Sequence, residues 1–128
     1  MEWVFALDGD GRVMRIDTSG HFGLPDQERM FEELGAHPSF SSSLAFLFDN
    51  RRLDLSGSNF DVIRESVEVV QRFVRTRRVE RLAGLVNPGA DFGVGRQFEL
   101  LTDAAGGHGF RIFVDEHLAL RWLRGERD

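Results

Sequence analysis

Three short, mostly apolar runs constrain the fold of this chain more than any other feature. They occupy residues 44–48, 82–86 and 110–114, and each has the length of a strand. Runs of this kind are typical of strands that are buried on both faces of a sheet covered by helices. Because helical segments separate the runs, the sequence predicts right-handed crossovers and a largely parallel sheet.

An antiparallel hairpin is predicted before these runs. Residues 3–7 and 12–16 have strand character, and the Asp-Gly-Asp-Gly segment at 8–11 is a hairpin signal because Asp-Gly tolerates positive φ. The same segment is not expected to bind calcium, because it lacks a third acidic ligand and has Ser19 where a calcium loop has its bidentate Glu. Residues 17–23 are predicted to form a loop, or a frayed strand ending in a loop.

Four segments carry helical periodicity. Residues 24–26 open the first helix, Ser58 or Asn59 caps the second, Asp91 caps the third and Asp115 caps the fourth. The apolar positions expected to face the sheet are Met30, Phe31, Leu34, Phe60, Ile63, Val67, Val70, Val74, Val94, Phe98, Leu101, Leu118, Ala119, Trp122 and Leu123. The predicted fold is α/β, with a single five-stranded mixed sheet, four helices and the order ββαβαβαβα.

Composition limits the classes of function. A length of 128 residues predicts one domain, spanning residues 1–128. The absence of cysteine excludes thiol catalysis and thiolate metal sites, and it fits a cytoplasmic location. A net charge of −5 argues against nucleic-acid binding, and no apolar run approaches the ~20 residues that membrane insertion requires.

The C-terminal third resembles a known family. Residues 92–99 (FGVGRQFE), 110–116 (FRIFVDE) and 118–123 (LALRWL) are similar to motifs of the SpoIIAA-like (STAS/SEC14-like) family of small bacterial proteins. The resemblance implies the same order of elements along the whole chain. It also implies two kinds of function, namely regulation through protein contacts and, from the SEC14-like relatives, carriage of a lipid-like ligand.

The resemblance to the anti-sigma factor antagonists of this family raises the question of a phosphorylation site. A partner kinase phosphorylates a serine in their Asp-Ser-Ser/Thr-Gly motif, which resembles Asp-Leu-Ser-Gly at residues 54–57 here. Leu55 has no hydroxyl at the phosphoacceptor position. Ser56 and Ser58 are neighbouring hydroxyls that could substitute, but we expect the phosphorylation switch to be absent.

The main candidate site follows the predicted central strand. The segment 50–58 is expected beyond the carboxyl end of that strand, where open α/β sheets bind ligands, and close to a helix N-terminus, which attracts anions. The alternative is that Ser58 and Asn59 only cap the helix while the charged residues are solvated. The candidate ligand- or partner-binding residues are Asn50, Arg51, Arg52, Asp54, Ser56 and Ser58.

A second candidate site opens the third helix. Gly93, Gly95 and Arg96 follow a strand and imitate part of a GxGxxG phosphate-binding motif, but Phe98 replaces its third glycine. Close packing of helix on sheet explains the two glycines better. Binding of an anion beside Arg96 is the alternative.

No complete catalytic or metal-binding motif is present. The histidines His21, His37, His108 and His117 lack metal-site spacing, no GxSxG elbow exists, and we expect neither a metal nor a cofactor. The basic cluster of Arg72, Arg75, Arg77, Arg78 and Arg81 is expected to complement the helix dipole, or else to dock an acidic partner or a phosphorylated ligand.

The expected function is a non-enzymatic regulatory or protein-interaction domain with an unidentified protein partner. The alternative is a carrier of a small apolar, lipid-like ligand, and homodimerisation is a further expectation.

Overall fold

The computed structural model describes residues 1–107 and 109–126. Within them the order of elements is ββαβαβαβα, as predicted. The strands are β1 (Glu2–Leu7), β2 (Val13–His21), β3 (Ala45–Asp54), β4 (Leu82–Leu85) and β5 (Phe110–Phe113). The helices are α1 (Leu24–Ala36), α2 (Phe60–Arg77), α3 (Ala90–Ala104) and α4 (Glu116–Leu123). In this part of the chain no helix combines the length and the apolar character needed to cross a membrane.

One mixed sheet organises the fold, with its strands in the spatial order β1-β2-β3-β4-β5. β1 pairs with β2 in antiparallel fashion, and the other neighbours are parallel. Each crossover joins adjacent strands in the same direction, so crossovers of one hand put α1, α2 and α3 on the same face. The five-stranded mixed sheet with four helices is therefore confirmed.

The two faces of the sheet have separate cores. Residues that alternate along the strands point to opposite sides, which explains why the strand runs are apolar at consecutive positions. The core under α1–α3 includes Met14, Ile16, Met30, Phe31, Leu34, Phe46, Phe48, Val70, Phe73 and Leu82. The core under α4 includes Val13, Ala45, Leu47, Ala83, Leu85, Ala119 and Leu123.

β2 and β3 are longer than the predicted strand cores. β2 continues to His21, which agrees with the alternative of a strand ending in a loop and not with a loop from residue 17. β3 continues to Asp54, so residues 50–54 are strand and not loop. The extensions pair with each other, with Ser19 opposite Arg52 and His21 opposite Asp54. Polar residues are tolerated in this stretch because most of its side chains are at least partly exposed to solvent.

A register shift interrupts that pairing. Asp17 lies opposite Asp49 while Ser19 lies opposite Arg52, so two residues of β3 occupy the space opposite one residue of β2. This is the arrangement of a β-bulge, which redirects side chains at that point of the strand. Asn50 lines the α1–α3 side and Arg51 contacts Glu116 on the α4 side, which is the ordinary alternation of neighbouring residues in a strand.

Two of the three predicted N-cap residues cap their helices. Asn59 accepts a hydrogen bond from Val62 N at 2.9 Å, and Asp115 accepts one from Leu118 N at 3.1 Å. The third prediction is wrong, because Gly89 holds the N-cap position of α3 and Asp91 lies in its first turn.

Two positions expected to face the sheet are exposed instead. Phe60 is 58% exposed and is the first residue of α2. Leu118 is 44% exposed, because α4 is the only described helix on its face and its outer flank has no neighbour to pack against.

Candidate functional site

An apolar cavity of about 100 Å³ lies between the sheet and the three helices α1, α2 and α3. Its walls include the carboxyl-terminal part of β3, residues of β4 and β5, and the amino-terminal halves of the three helices. That is the edge at which open α/β sheets bind ligands. Phe31, Phe48, Ile63, Val70 and Phe98 supply much of the apolar wall.

Four uncharged polar side chains also line this cavity, namely Gln27, Asn50, Ser58 and Ser66. Gln27 Nε2 donates to Ser66 Oγ at 2.8 Å, and Asn50 Oδ1 accepts from Thr18 Oγ1 at 2.6 Å. Gln27 is only 7% exposed, and its Oε1 has no hydrogen-bond partner within the described part of the chain. The cavity is therefore an apolar chamber with one unpaired buried amide atom at its wall.

Two exposed aromatic side chains lie near the start of α2 and α3, close in sequence to residues that line the cavity. Val62 and Val94 line the cavity from the first turns of α2 and α3. Phe60 and Phe92 stand two residues earlier on the same helices and are 58% and 37% exposed. Both phenylalanines therefore lie at the same edge of the sheet as the cavity.

The residues of the predicted ligand-binding segment 50–58 do not all lie at the cavity. Asn50 and Ser58 line the cavity, whereas Arg51 turns to the opposite face of the sheet and Arg52 is exposed in the strand. The prediction that these residues follow a strand is wrong for residues 50–54, because they are part of β3. The loop that remains, residues 55–59, forms one side of the cavity and leads into α2.

The turn after β3 is organised by Asp54. Its carboxylate accepts from Ser56 N at 2.9 Å and lies 3.1 Å from His21 Nδ1. Hydrogen bonds from the Ser56 hydroxyl and backbone N–H, together with the His21 ring, lower the pKa of Asp54 to about 2. A phosphate on Ser56 would meet this carboxylate as a like charge, which opposes a phosphorylation switch at that position. Leu55, at the phosphoacceptor position, lines the cavity.

A charged network on the α4 face was missed from the sequence. Arg15 Nη2 lies 2.6 Å from Asp49 Oδ2 and 2.8 Å from Glu116 Oε1, and Arg15 Nε contacts Asp17 Oδ1 at 2.9 Å. Arg51 binds both oxygens of Asp49, at 2.9 and 2.8 Å. The network joins β2, β3 and the start of α4.

The network keeps the buried Asp49 carboxylate ionised. Burial opposes its ionisation, but hydrogen bonds from the Arg51 side chain and backbone, with the charges of Arg51 and Arg15, outweigh burial and hold the pKa of Asp49 below its usual range. Burial likewise opposes the charge of Arg15, yet its hydrogen bonds to Glu116 and Asp17 raise the pKa of Arg15. Every charged group in the cluster has a partner, so the arrangement anchors α4 to the sheet.

The second candidate site is explained by packing. A Cβ on Gly95 would lie 2.5 Å from Ile112 Cγ1, so the glycine lets α3 approach β5 closely. Gly93 has no atom within 4 Å of the position that its Cβ would take. Arg96 forms an ion pair with Glu99, so its charge is already matched.

The basic cluster at the end of α2 does not form one continuous patch. Arg77 lies over the Phe40 ring, 5.7 Å from its centroid, and Arg81 lies over the Trp122 ring at 5.3 Å. Arg81 also donates to the Trp122 carbonyl oxygen. Arg72, Arg75 and Arg78 remain exposed.

No metal site is evident in residues 1–107 and 109–126. They contain no group of three or more side chains of His, Asp or Glu positioned to hold an ion. His108 lies outside the described residues, and His21 and His117 are exposed.

Comparison with known proteins supports the fold. No family model matches the chain, and no curated protein matches it. A solved structure similar to it is described as an uncharacterized protein from the DUF3478 family with a SpoIIAA-like fold, from Shewanella loihica PV-4. The identity is 17%, the TM-score is 0.56, and the match covers 95% of this chain and 92% of that chain. The SpoIIAA-like fold expected from the sequence is therefore confirmed.

Proposed function

We propose that this protein is a non-catalytic binding domain for a small, mainly apolar molecule. The cavity of about 100 Å³ at the carboxyl edge of the sheet carries this proposal. One water needs roughly 10–15 Å³ of such space, and an apolar cavity of about 150 Å³ binds benzene. At two thirds of that volume, the cavity fits a short chain, or a ring that stays partly at its opening, and either is much smaller than a complete membrane lipid.

The expected affinity is modest. Burying six carbon groups gains up to ~5 kcal/mol at about 0.8 kcal/mol each, part of which offsets the lost translational freedom of the ligand. We therefore expect a simple six-carbon probe to bind in the millimolar range. A physiological ligand would add polar contacts to this apolar contribution.

Fluorobenzene provides a direct test by ¹⁹F NMR, combined with ¹H–¹³C spectra of the methyl groups of Ile63 and Val70. Saturable shifts at these methyl groups are expected in the wild type. Val94→Phe should abolish them, because the larger side chain occupies the cavity. Val4→Phe is the matched control, since Val4 is 66% exposed on β1 and does not line the cavity.

Two results would contradict the proposal. One is the absence of a saturable shift in the wild type at millimolar fluorobenzene. The other is an equal response of the Val94→Phe and Val4→Phe variants, because the probe would then be bound elsewhere.

A second candidate function is protein interaction, and the exposed Phe60 and Phe92 favour it. Large apolar side chains grouped at one edge are typical of contact surfaces. Affinity capture from the native cell should lose its specific protein with Phe60→Ser but keep it with Leu100→Ser, a control on an exposed leucine later in α3. Sedimentation of the two variants would show whether the partner is a second copy of this chain. We retain the cytoplasm as the proposed compartment because the sequence contains no cysteine.

A further inference from the structure

The most informative atom of the cavity is the unpaired amide oxygen of Gln27. Gln27 lies near the start of α1 and lines the cavity. Only 7% of its surface is exposed to solvent. Its Nε2 is engaged with Ser66 Oγ at 2.8 Å, and its Oε1 finds no partner among residues 1–107 and 109–126. An unpaired buried polar atom is costly, so each such atom in a native protein calls for an explanation.

The cavity limits which groups could pair with this amide. None of the described residues that line it is acidic or basic, and the N-terminal amine of Met1 is 3.4 Å from the Asp26 carboxylate. A carboxylate, phosphate or ammonium group on the ligand would therefore be buried without a counter-charge. The polar group of the ligand must be neutral.

A hydroxyl group meets this requirement in either orientation of the amide. If Oε1 of Gln27 faces the cavity, the ligand must donate a hydrogen bond to it. If the amide is rotated so that Nε2 faces the cavity, the ligand must accept a hydrogen bond. A hydroxyl can do both, and so it pairs with Gln27 without disturbing Ser66.

We propose that the cavity takes a small apolar alcohol or phenol whose hydroxyl hydrogen-bonds to the side-chain amide of Gln27. This inference rests on the proposed binding function and names its ligand class. The size of the cavity restricts the apolar part to about one ring or a short chain.

The test compares 4-fluorophenol with fluorobenzene, which differ by one hydroxyl. The wild type should bind 4-fluorophenol roughly two- to tenfold more tightly, the range expected from one net hydrogen bond. Gln27→Met keeps the length of the side chain and removes the amide, so the ratio should fall to one or below. Gln71→Met is the matched control, because Gln71 is also a buried glutamine with an unpaired amide atom but does not line the cavity.

A second measurement does not depend on the variants. The side-chain amide signals of Gln27 in ¹H–¹⁵N spectra of the wild type should shift with 4-fluorophenol much more than with fluorobenzene, while those of Gln71 should not. Equal affinities of the two probes, together with an unmoved Gln27 amide, would overturn this inference and leave the binding function intact. Failure of both probes to bind would overturn the binding function and this inference with it.

Discussion

The glycines of α3 allow the packing of helix against sheet to be tested quantitatively. In Gly95→Ala, the new Cβ would lie 2.5 Å from Ile112 Cγ1 and 2.7 Å from its Cδ1. Forcing a methyl group into packed space costs about 1–3 kcal/mol, and alanine recovers about 0.5–1 kcal/mol of helix propensity. The expected net loss in the free energy of unfolding is up to about 2.5 kcal/mol, and about 1 kcal/mol at the middle of the two ranges.

Gly93→Ala is the matched control on the same helix. The space around its Cβ is open to at least 4 Å, so only the gain in helix propensity remains. We expect this variant to be about 0.5–1 kcal/mol more stable than the wild type. Urea denaturation followed by far-ultraviolet circular dichroism measures both changes.

Removing the opposing Ile112 side chain should turn the effect of Gly95→Ala from destabilising to stabilising. In an Ile112→Ala background, the nearest remaining atom of residue 112 to the new Cβ is its own Cβ, which lies at 3.6 Å in the wild type. Gly95→Ala should then stabilise the protein by about 0.5–1 kcal/mol, so the two sites couple by the packing cost alone, roughly 1–3 kcal/mol. If Gly93→Ala and Gly95→Ala stabilise the wild type equally, the packing explanation is refuted and anion binding at this helix start regains support.

Three further substitutions test the electrostatics and the capping. Asp54, with a pKa of about 2 against an ordinary 3.8, stabilises the protein above the ordinary value, and this contribution disappears as the pH falls through 2. Asp54→Asn should therefore be less stable than the wild type above pH 4, and the difference should shrink as the pH falls and vanish only below pH 2. An Asp54 titration midpoint near 4 by NMR would contradict this. Asp49→Asn should lower the free energy of unfolding by about 1–3 kcal/mol. This is less than the loss expected for a fully buried ion pair, because the Arg15 and Arg51 side chains are 28% and 40% exposed. Thermal denaturation that shows no loss of stability would refute this prediction. Asn59→Ala should cost about 1 kcal/mol through the lost hydrogen bond to α2, and Asn59→Asp is the control that keeps the cap.

The order of elements was predictable because each strand and helix carries its own periodicity. The ends of β2 and β3 were not, because polar residues follow Ile16 and Phe48 and resemble a loop when each strand is considered alone. They continue as strands because they pair with each other, with Ser19 opposite Arg52 and His21 opposite Asp54. The charged network was missed for the same reason, since Asp17 and Asp49 face each other only once both strands are extended.

Part of the cavity could have been found from the sequence. Asn50 and Ser58 belonged to the predicted site and do line the cavity. Gln27 was missed, although it precedes Met30, Phe31 and Leu34 at helical spacing and so occupies an inward-facing position. A glutamine on an otherwise apolar helix face is the signal that could have identified it. The volume of the cavity depends on how three helices diverge from a twisted sheet, which no local pattern encodes.

The two faces of the sheet should respond differently when the cavity is filled. The cavity touches α1, α2 and α3, whereas α4 is held to the opposite face through Arg15, Arg51 and Glu116. At a 4-fluorophenol concentration of ten times its dissociation constant, amides that exchange by global unfolding should gain about 1.4 kcal/mol of protection. Hydrogen-bonded amides in the amino-terminal halves of α1–α3 that exchange by local opening should also gain protection, because residues of those halves line the cavity. Locally opening amides of α4 should be unchanged, and equal protection of such amides in α4 and in α1–α3 would show that the molecule binds outside the cavity.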